Sequence, residues 1–372
     1  MCFWDEYNAL GVEGAPYGSQ RASVLKESIH KNKSLRHFLH LILQYWRGPE
    51  KYTAYVLGGG FFVSLIVNLS MALLINRWSK DFFDALQQHR MSAIIESIEQ
   101  LTLLACGTAL AAIVTVQFRM RLQLTWRLWM MSHLVDHWIV SGISRDRLMV
   151  FFIDNPEARI ADDGRIAIEL FVEMVGGLVY TILISTSFII VLWNIGGDFF
   201  VFGFQIHGFL VYCVIFYTGL TSLGMLALCI PLVKTVEDKA AAEGNFRYFL
   251  TENVQSVHPI EGENDDRSNG LEKFFEALLI KWLHVIHGQT KIISFATTNN
   301  LIAPVIPVVL CAPKYLSGEM SLGDIMQTAA AFLQVQTSLN WLADNAFSIA
   351  NWSASARRVA ALDATIHSHL IE

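Results

Sequence analysis

The chain has 372 residues, of which 53% are hydrophobic and only 16% charged, with a formal net charge of −6. A soluble chain carries about 25% charged residues. The deficit here is concentrated in long apolar runs, which excludes an ordinary soluble domain and points to several membrane spans. The mildly acidic balance offers nothing to a nucleic-acid backbone, so no nucleic-acid partner is expected. The five cysteines (Cys2, Cys106, Cys213, Cys229 and Cys311) show no paired spacing. Neither a disulfide framework nor a metal site follows from them.

Residues 1–20 are mixed and polar and do not form a secretory signal. The segment 1–51 is expected to be cytoplasmic, with an amphipathic elbow helix. Six spans follow within a transmembrane domain at 52–345: Tyr52 to Ile75, Ile94 to Val116, Ala167 to Ile195, Gly208 to Val233, Ile292 to Cys311 and Leu322 to Ala343. Each is near the ~20 residues needed to cross hydrocarbon as a helix, and lipid leaves helices as the way to satisfy the backbone. The fold class expected is therefore all-α and polytopic.

Between the second and third spans, Trp126, Trp129, Leu134 and Trp138 recur at helical spacing, so the membrane helices should continue into the cytoplasm. His133 and His137 share that helix face, but Leu134 stands where a zinc motif needs Glu, and a packed or solvated face is the expected reading. Phe199, Phe200, Phe202, Phe204 and Trp193 mark an interfacial belt between spans three and four. Asn299, Asn300, Pro304 and Pro307 interrupt the fifth span, which predicts a bent helix that could line a gate. A cytoplasmic tail is expected at 346–372.

Lys and Arg fix the orientation. The N-terminal segment, the loops after spans two and four, and the tail together hold 23 of them. The three other loops hold 4. The positive-inside rule then places both termini and both long loops in the cytoplasm.

Four segments resemble one family. They are Asn76–Gln87 (NRWSKDFFDALQ), Asp154–Asp163 (DNPEARIADD), Glu243–Glu263 (EGNFRYFLTENVQSVHPIEGE) and Ala312–Asn345, which opens and forms the sixth span. In order and spacing they are similar to the SbmA/BacA-like permeases and their ATPase-fused relatives, transporters of vitamin B12, bleomycin or antimicrobial peptides. The membrane domain of the acyl-CoA half-transporters (ABC subfamily D) is a more distant likeness. The resemblance implies an exporter-type domain that dimerises in the bacterial inner membrane. It implies two cytoplasmic coupling helices, near Asn155–Arg159 and Asn253–Glu263. Asn155, Pro156, Arg159, Asn253, Glu261 and Glu263 are thus the candidates for docking an ATPase. At the second site Glu261 stands where the family has Arg, which reverses a charge.

Asn155 followed by Pro156 also reads as a helix start, with Asn capping and Pro at the first position. Arg159, Asp162 and Asp163 would then lie on the exposed side. Glu169 and Glu173, four residues apart just inside the third span, are candidates for a substrate or proton path together with Asn299 and Asn300. Two carboxylates meeting there should not both ionise easily.

No Gly-x-x-x-x-Gly-Lys-Ser/Thr loop occurs in the sequence, so no cofactor is expected in this chain and ATP enters only through a partner subunit. Three functions compete. The leading one is a permease for peptides or similar bulky solutes, working with a separate ATP-binding subunit. The second is an ATPase-independent, proton-driven permease. The third is a truncated membrane protein that serves as an interaction partner.

Overall fold

The computed structural model describes residues 38–142, 155–201, 204–255 and 264–371. The described residues are all-α apart from one small hairpin. Helix α1 covers 38–47. It is followed by α2 (Lys51–Gln87), α3 (Met91–Ser141), a short turn Pro156–Ala158, a π-helical turn Arg159–Asp163, and α4 (Gly164–Gly196). After the hairpin come α5 (Phe209–Gln255), α6 (Asn264–Ile302), α7 (Val305–Leu316), α8 (Leu322–Asp344) and α9 (Ala346–Ile371). Among the described residues, five stretches are long and apolar enough to cross a membrane: Lys51–Gln87, Met91–Ser141, Pro156–Gly196, Phe209–Arg247 and Phe275–Leu316. At 1.5 Å per residue, α3 with its 51 residues is about 75 Å long, far more than a ~30 Å hydrocarbon core needs.

The sixth predicted span forms α8, 23 residues long, about 35 Å. It is not one of the five apolar stretches, because Gln327, Thr328, Gln336 and Ser338 lower its hydropathy; all four are buried within the protein. The fifth predicted span is divided where the sequence placed its breakers. Helix α6 ends at Ile302, and α7 restarts at Val305, directly after Pro304. Where the sequence suggested only an aromatic belt, the chain pairs β1 (Asp198–Val201) with β2 (Phe204–His207), antiparallel, with Phe199 opposite Ile206. Aromatic and β-branched residues such as Phe199, Phe200, Val201, Phe204 and Ile206 favour such a ribbon.

The chain divides into two compact units. The first holds residues up to Val67, Leu110–Gly177 and Asn345 onward. Here α1 buries Phe38, Leu41, Ile42 and Tyr45, an i, i+3, i+4, i+7 stripe. Tyr45 stacks on Trp126 of α3 with ring centroids 5.1 Å apart, and its hydroxyl meets Thr125 Oγ1 at 3.0 Å. Leu122, Trp126, Met130 and Leu134 form the buried face of α3, four residues apart. Phe171 of α4 contacts both Trp126 and Trp352 of α9.

The second unit comprises Asn68–Ala109 and Leu178–Asp344. Its core gathers Phe188 and Leu192 of α4, Leu210 and Val214 of α5, Cys311 of α7, and Phe332 and Val335 of α8. Helices α5 and α6 form an antiparallel pair. Phe246 meets Phe275, Lys281 Nζ meets Asp238 Oδ2 at 2.9 Å, and the Tyr217 hydroxyl donates to Asn299 Oδ1 at 2.6 Å. The sum of the paired positions hardly changes along the hairpin, so the two helices keep one register.

Candidate functional site

Three places in the fold collect the residues that the sequence singled out. The first lies in the first unit, at the start of α4. Asn155 does not cap the following turn with its side chain, contrary to the sequence reading. It sits at φ 48°, ψ 64°, in the left-handed region, and makes no side-chain cap bond. A capping side chain needs the extended backbone of an N-cap residue. Instead the Asn155 carbonyl accepts from the amides of Ala158 and Arg159, at 3.0 and 3.2 Å. Pro156 holds the first helical position and is buried. The next turn, Arg159–Asp163, is π-helical, an insertion that recurs at functional sites.

Asp163 was expected on the exposed side with Arg159 and Asp162. The extra residue of the π turn rotates it inward instead, and it is buried. There Arg358 of α9 grips it with two bonds, Nε to Oδ2 at 2.7 Å and Nη2 to Oδ1 at 2.6 Å. The carboxylate beside Arg358 pushes the guanidinium further up from its already high range, so it stays charged. Asp162 remains exposed. The segment is therefore strained at one end and tied to α9 at the other.

Glu169 and Glu173 follow on α4. The sequence suggested that the two carboxylates meet each other. The structure gives each of them arginine instead. Glu169 is 3.1 Å from Arg165 and 3.7 Å from Arg127, and Glu173 is 3.2 Å from Arg119. The three arginines come from two helices and separate the roles of the two acids. Asn253 lies near the end of α5, while Glu261 and Glu263 fall outside the described residues.

The second place is a cavity in the second unit, among α5, α6 and α8. Its volume is about 230 Å³. Thr221 and Ser222 line it from α5, Asn299 and Asn300 from α6, and Thr337, Asn340 and Asp344 from α8. Both asparagines predicted for a solute path thus face one space. Asn299 Oδ1 accepts from Tyr217 and, at 3.4 Å, from Gln336, while Ser222 donates to Asn340 Oδ1 at 2.8 Å. Phe295 and Met225 complete the wall. The sequence reading missed Ser222, Asn340 and Asp344. The signal was present: Gln336, Asn340 and Asp344 are spaced by four and draw one polar stripe along α8.

The third place gives the motif Asn76–Gln87 a physical meaning. Asn76, Lys80, Asp84 and Gln87 share one face of α2, and all four reach the start of α8. Asn76 Nδ2 donates to the Gln327 carbonyl at 3.0 Å, and Lys80 pairs with Asp324 at 2.7 Å. The side chains of Asp84 and Gln87 accept from the amides of Gly323 and Leu322, at 2.9 and 2.7 Å. The first amides of a helix have no partner within it, so α2 satisfies two of the orphan donors of α8. Ser321 and Asp324 close the remainder as a mutual cap. Trp78, on another side of α2, donates to the Ser97 carbonyl of α3 at 2.7 Å.

This helical plan agrees with a known profile. The family described as ABC transporter transmembrane region 2 matches residues 51–316. The chain belongs to that family. As an ABC transporter transmembrane region, it is a multi-pass membrane protein. An uncharacterized ABC transporter ATP-binding protein of Haemophilus influenzae is 22% identical over 345 residues, 92% of this chain and 55% of that protein. The inner membrane ABC transporter ATP-binding protein YddA of Escherichia coli is 22% identical over 322 residues, 82% of this chain and 56% of its own length. ABC transporter D family member 2 of the Arabidopsis thaliana chloroplast is 20% identical over 352 residues, 94% of this chain and 48% of its own. This ABC transmembrane region thus spans about half the length of the curated relatives it matches.

Proposed function

We propose that the chain is the permease part of an ABC-type transporter that moves peptides or similar bulky solutes across the bacterial inner membrane. It works as a homodimer with both termini in the cytoplasm, and ATP is hydrolysed by an ATP-binding partner. The observation that carries this reading is the polar cavity among otherwise apolar helices. Amides, hydroxyls and a carboxylate are costly in a membrane protein unless they line a path or bind something. The resemblance to SbmA/BacA-like permeases supports a peptide as the cargo. The tie between Asp163 and Arg358 supports a coupling role for the Asn155–Asp163 segment, because it joins that segment to the helix that continues the chain.

A proton-driven mechanism rests on Glu169 and Glu173 sharing a proton. Each of the two acids lies against arginine, which supports ion pairing there, and we favour ATP as the energy source.

The test is uptake of a labelled peptide by cells expressing the chain together with its ATP-binding partner. Uptake that follows cellular ATP and survives a protonophore supports the proposal. Uptake abolished by the protonophore at constant ATP would reverse the assignment of energy source. No movement of any peptide in either direction would remove peptides as the cargo.

A further inference from the structure

The cavity among α5, α6 and α8 is lined by hydroxyls, amides and one carboxylate. Asp344 is its one charged lining residue, and among the described residues it has neither an ion pair nor a hydrogen bond. Asn300, which also lines the cavity, makes none either, and both residues keep a face exposed to solvent. Asn299 and Asn340 use their side-chain oxygens on Tyr217, Gln336 and Ser222, which leaves the amide N–H groups of both for an occupant. The cavity therefore presents one carboxylate, one complete amide and two further amide donors.

The size and the walls choose between cations. A bare metal ion would want several oxygens at little more than 2 Å, whereas this space is about 230 Å³ and is walled on one side by Phe295 and Met225. An aromatic ring in the wall and a lone carboxylate suit an ammonium group on a carbon frame. Amide donors alongside the carboxylate suit carbonyl oxygens that follow the ammonium along a chain. The amino-terminal end of a peptide carries both, an ammonium followed by main-chain carbonyls. The volume admits the end of a chain and not a whole bulky solute.

Resting on the proposal that peptides are the cargo, we infer that this cavity recognises the free amino terminus of the peptide. Asp344 receives the α-ammonium, and Asn299, Asn300 and Asn340 hold the first main-chain amides. Specificity then lies in the end of the chain and tolerates variation in the side chains that follow.

The experiment uses the full chain in lipid nanodiscs and a short peptide without Lys or Arg, carrying a fluorophore at its carboxyl end. Anisotropy gives the Kd for the free-amine peptide, for its N-acetylated form and for an N-acetylated form with one internal lysine. Acetylation should weaken binding about tenfold, and the internal lysine should not restore it. Asp344→Asn should weaken the free-amine peptide by a similar factor and abolish the difference between free and acetylated forms. Asp344→Glu should keep that difference, which separates lost recognition from lost folding. Equal affinity for the two forms in the unsubstituted protein would overturn the inference while leaving peptides as cargo. Restoration by the internal lysine would overturn the assignment to the amino terminus. A protein that binds none of the three peptides would remove the cargo assignment and the inference together.

Discussion

Arg358 and Asp163 show what one residue pair can hold. Asp163 is largely buried, with its side chain 13% exposed, while Arg358 keeps 46% of its side chain in contact with solvent. Removing the arginine leaves the carboxylate buried without its two bonds. Hydrogen bonds to charged groups contribute about 1.5–3 kcal/mol, and solvent at the guanidinium brings the expected loss to the lower part of that range. Arg358→Ala should lower the melting temperature of the detergent-solubilised protein, and Arg358→Lys should recover only part of it, because an ammonium cannot make the two-pronged bond. A melting curve for Arg358→Ala that superimposes on the unsubstituted protein would show that the pair holds nothing. The acids at Glu169 and Glu173 are a different case. Their side chains are 36% and 56% exposed, and ion pairs so exposed contribute about 0–1 kcal/mol. Glu169→Gln and Glu173→Gln should each leave thermal stability almost unchanged. A large loss in either would mean that the arginines depend on these carboxylates for more than charge.

The junction of α2 with α8 belongs to the scale of whole elements. Four side chains spaced along one face of α2 meet the first two turns of α8, and the two helices come very close at Gly323. A Cβ at that position would collide with the Lys80 carbonyl and the Asp84 carboxylate. Gly323→Ala should therefore push α8 away and cost about 1–3 kcal/mol, as overpacking does. Gly323→Ala combined with Asp84→Ala should cost less than the sum of the two, since the first substitution already disturbs the bond that the second deletes. Melting of the two single variants and the double variant measures this directly, and strict additivity would separate Gly323 from the clasp. The sequence revealed the helices here but not the clasp. Apolar runs of ~20 residues announce spans by themselves, and Pro304 marked the break between α6 and α7. Which face of α2 meets α8 depends on side chains more than 230 positions apart, and neither periodicity nor composition reports that. The same holds for the cavity: Asn299 and Asn300 stand out as polar residues in a span, whereas Asp344 falls one residue beyond the predicted sixth span, which ends at Ala343. The π turn is local, yet it too went unread, because one residue added to a helix leaves no mark in a hydrophobic pattern.

For the whole molecule, the charge pattern and the size of the cavity each make a prediction. The split of 23 basic residues against 4 requires that a reporter fused after Lys314 be external and one fused after Arg358 internal, and the reverse activities would invert the topology. Oligomeric state follows from volume. A space of about 230 Å³ holds only the end of a chain, so on the proposed reading the rest of the path for a bulky solute comes from another surface. A second copy related by a two-fold axis is the simplest source, since the same patch then serves both sides. The chain should accordingly run in nanodiscs as a species of twice 41.9 kDa in protein mass. Dilution should not split it if the path is permanent, because obligate interfaces are large and apolar. Native mass spectrometry from nanodiscs at two protein concentrations makes the measurement. A monodisperse single copy that still transports peptide would show that one chain encloses the whole path, and the cavity would then have to open to the full width of the solute during transport.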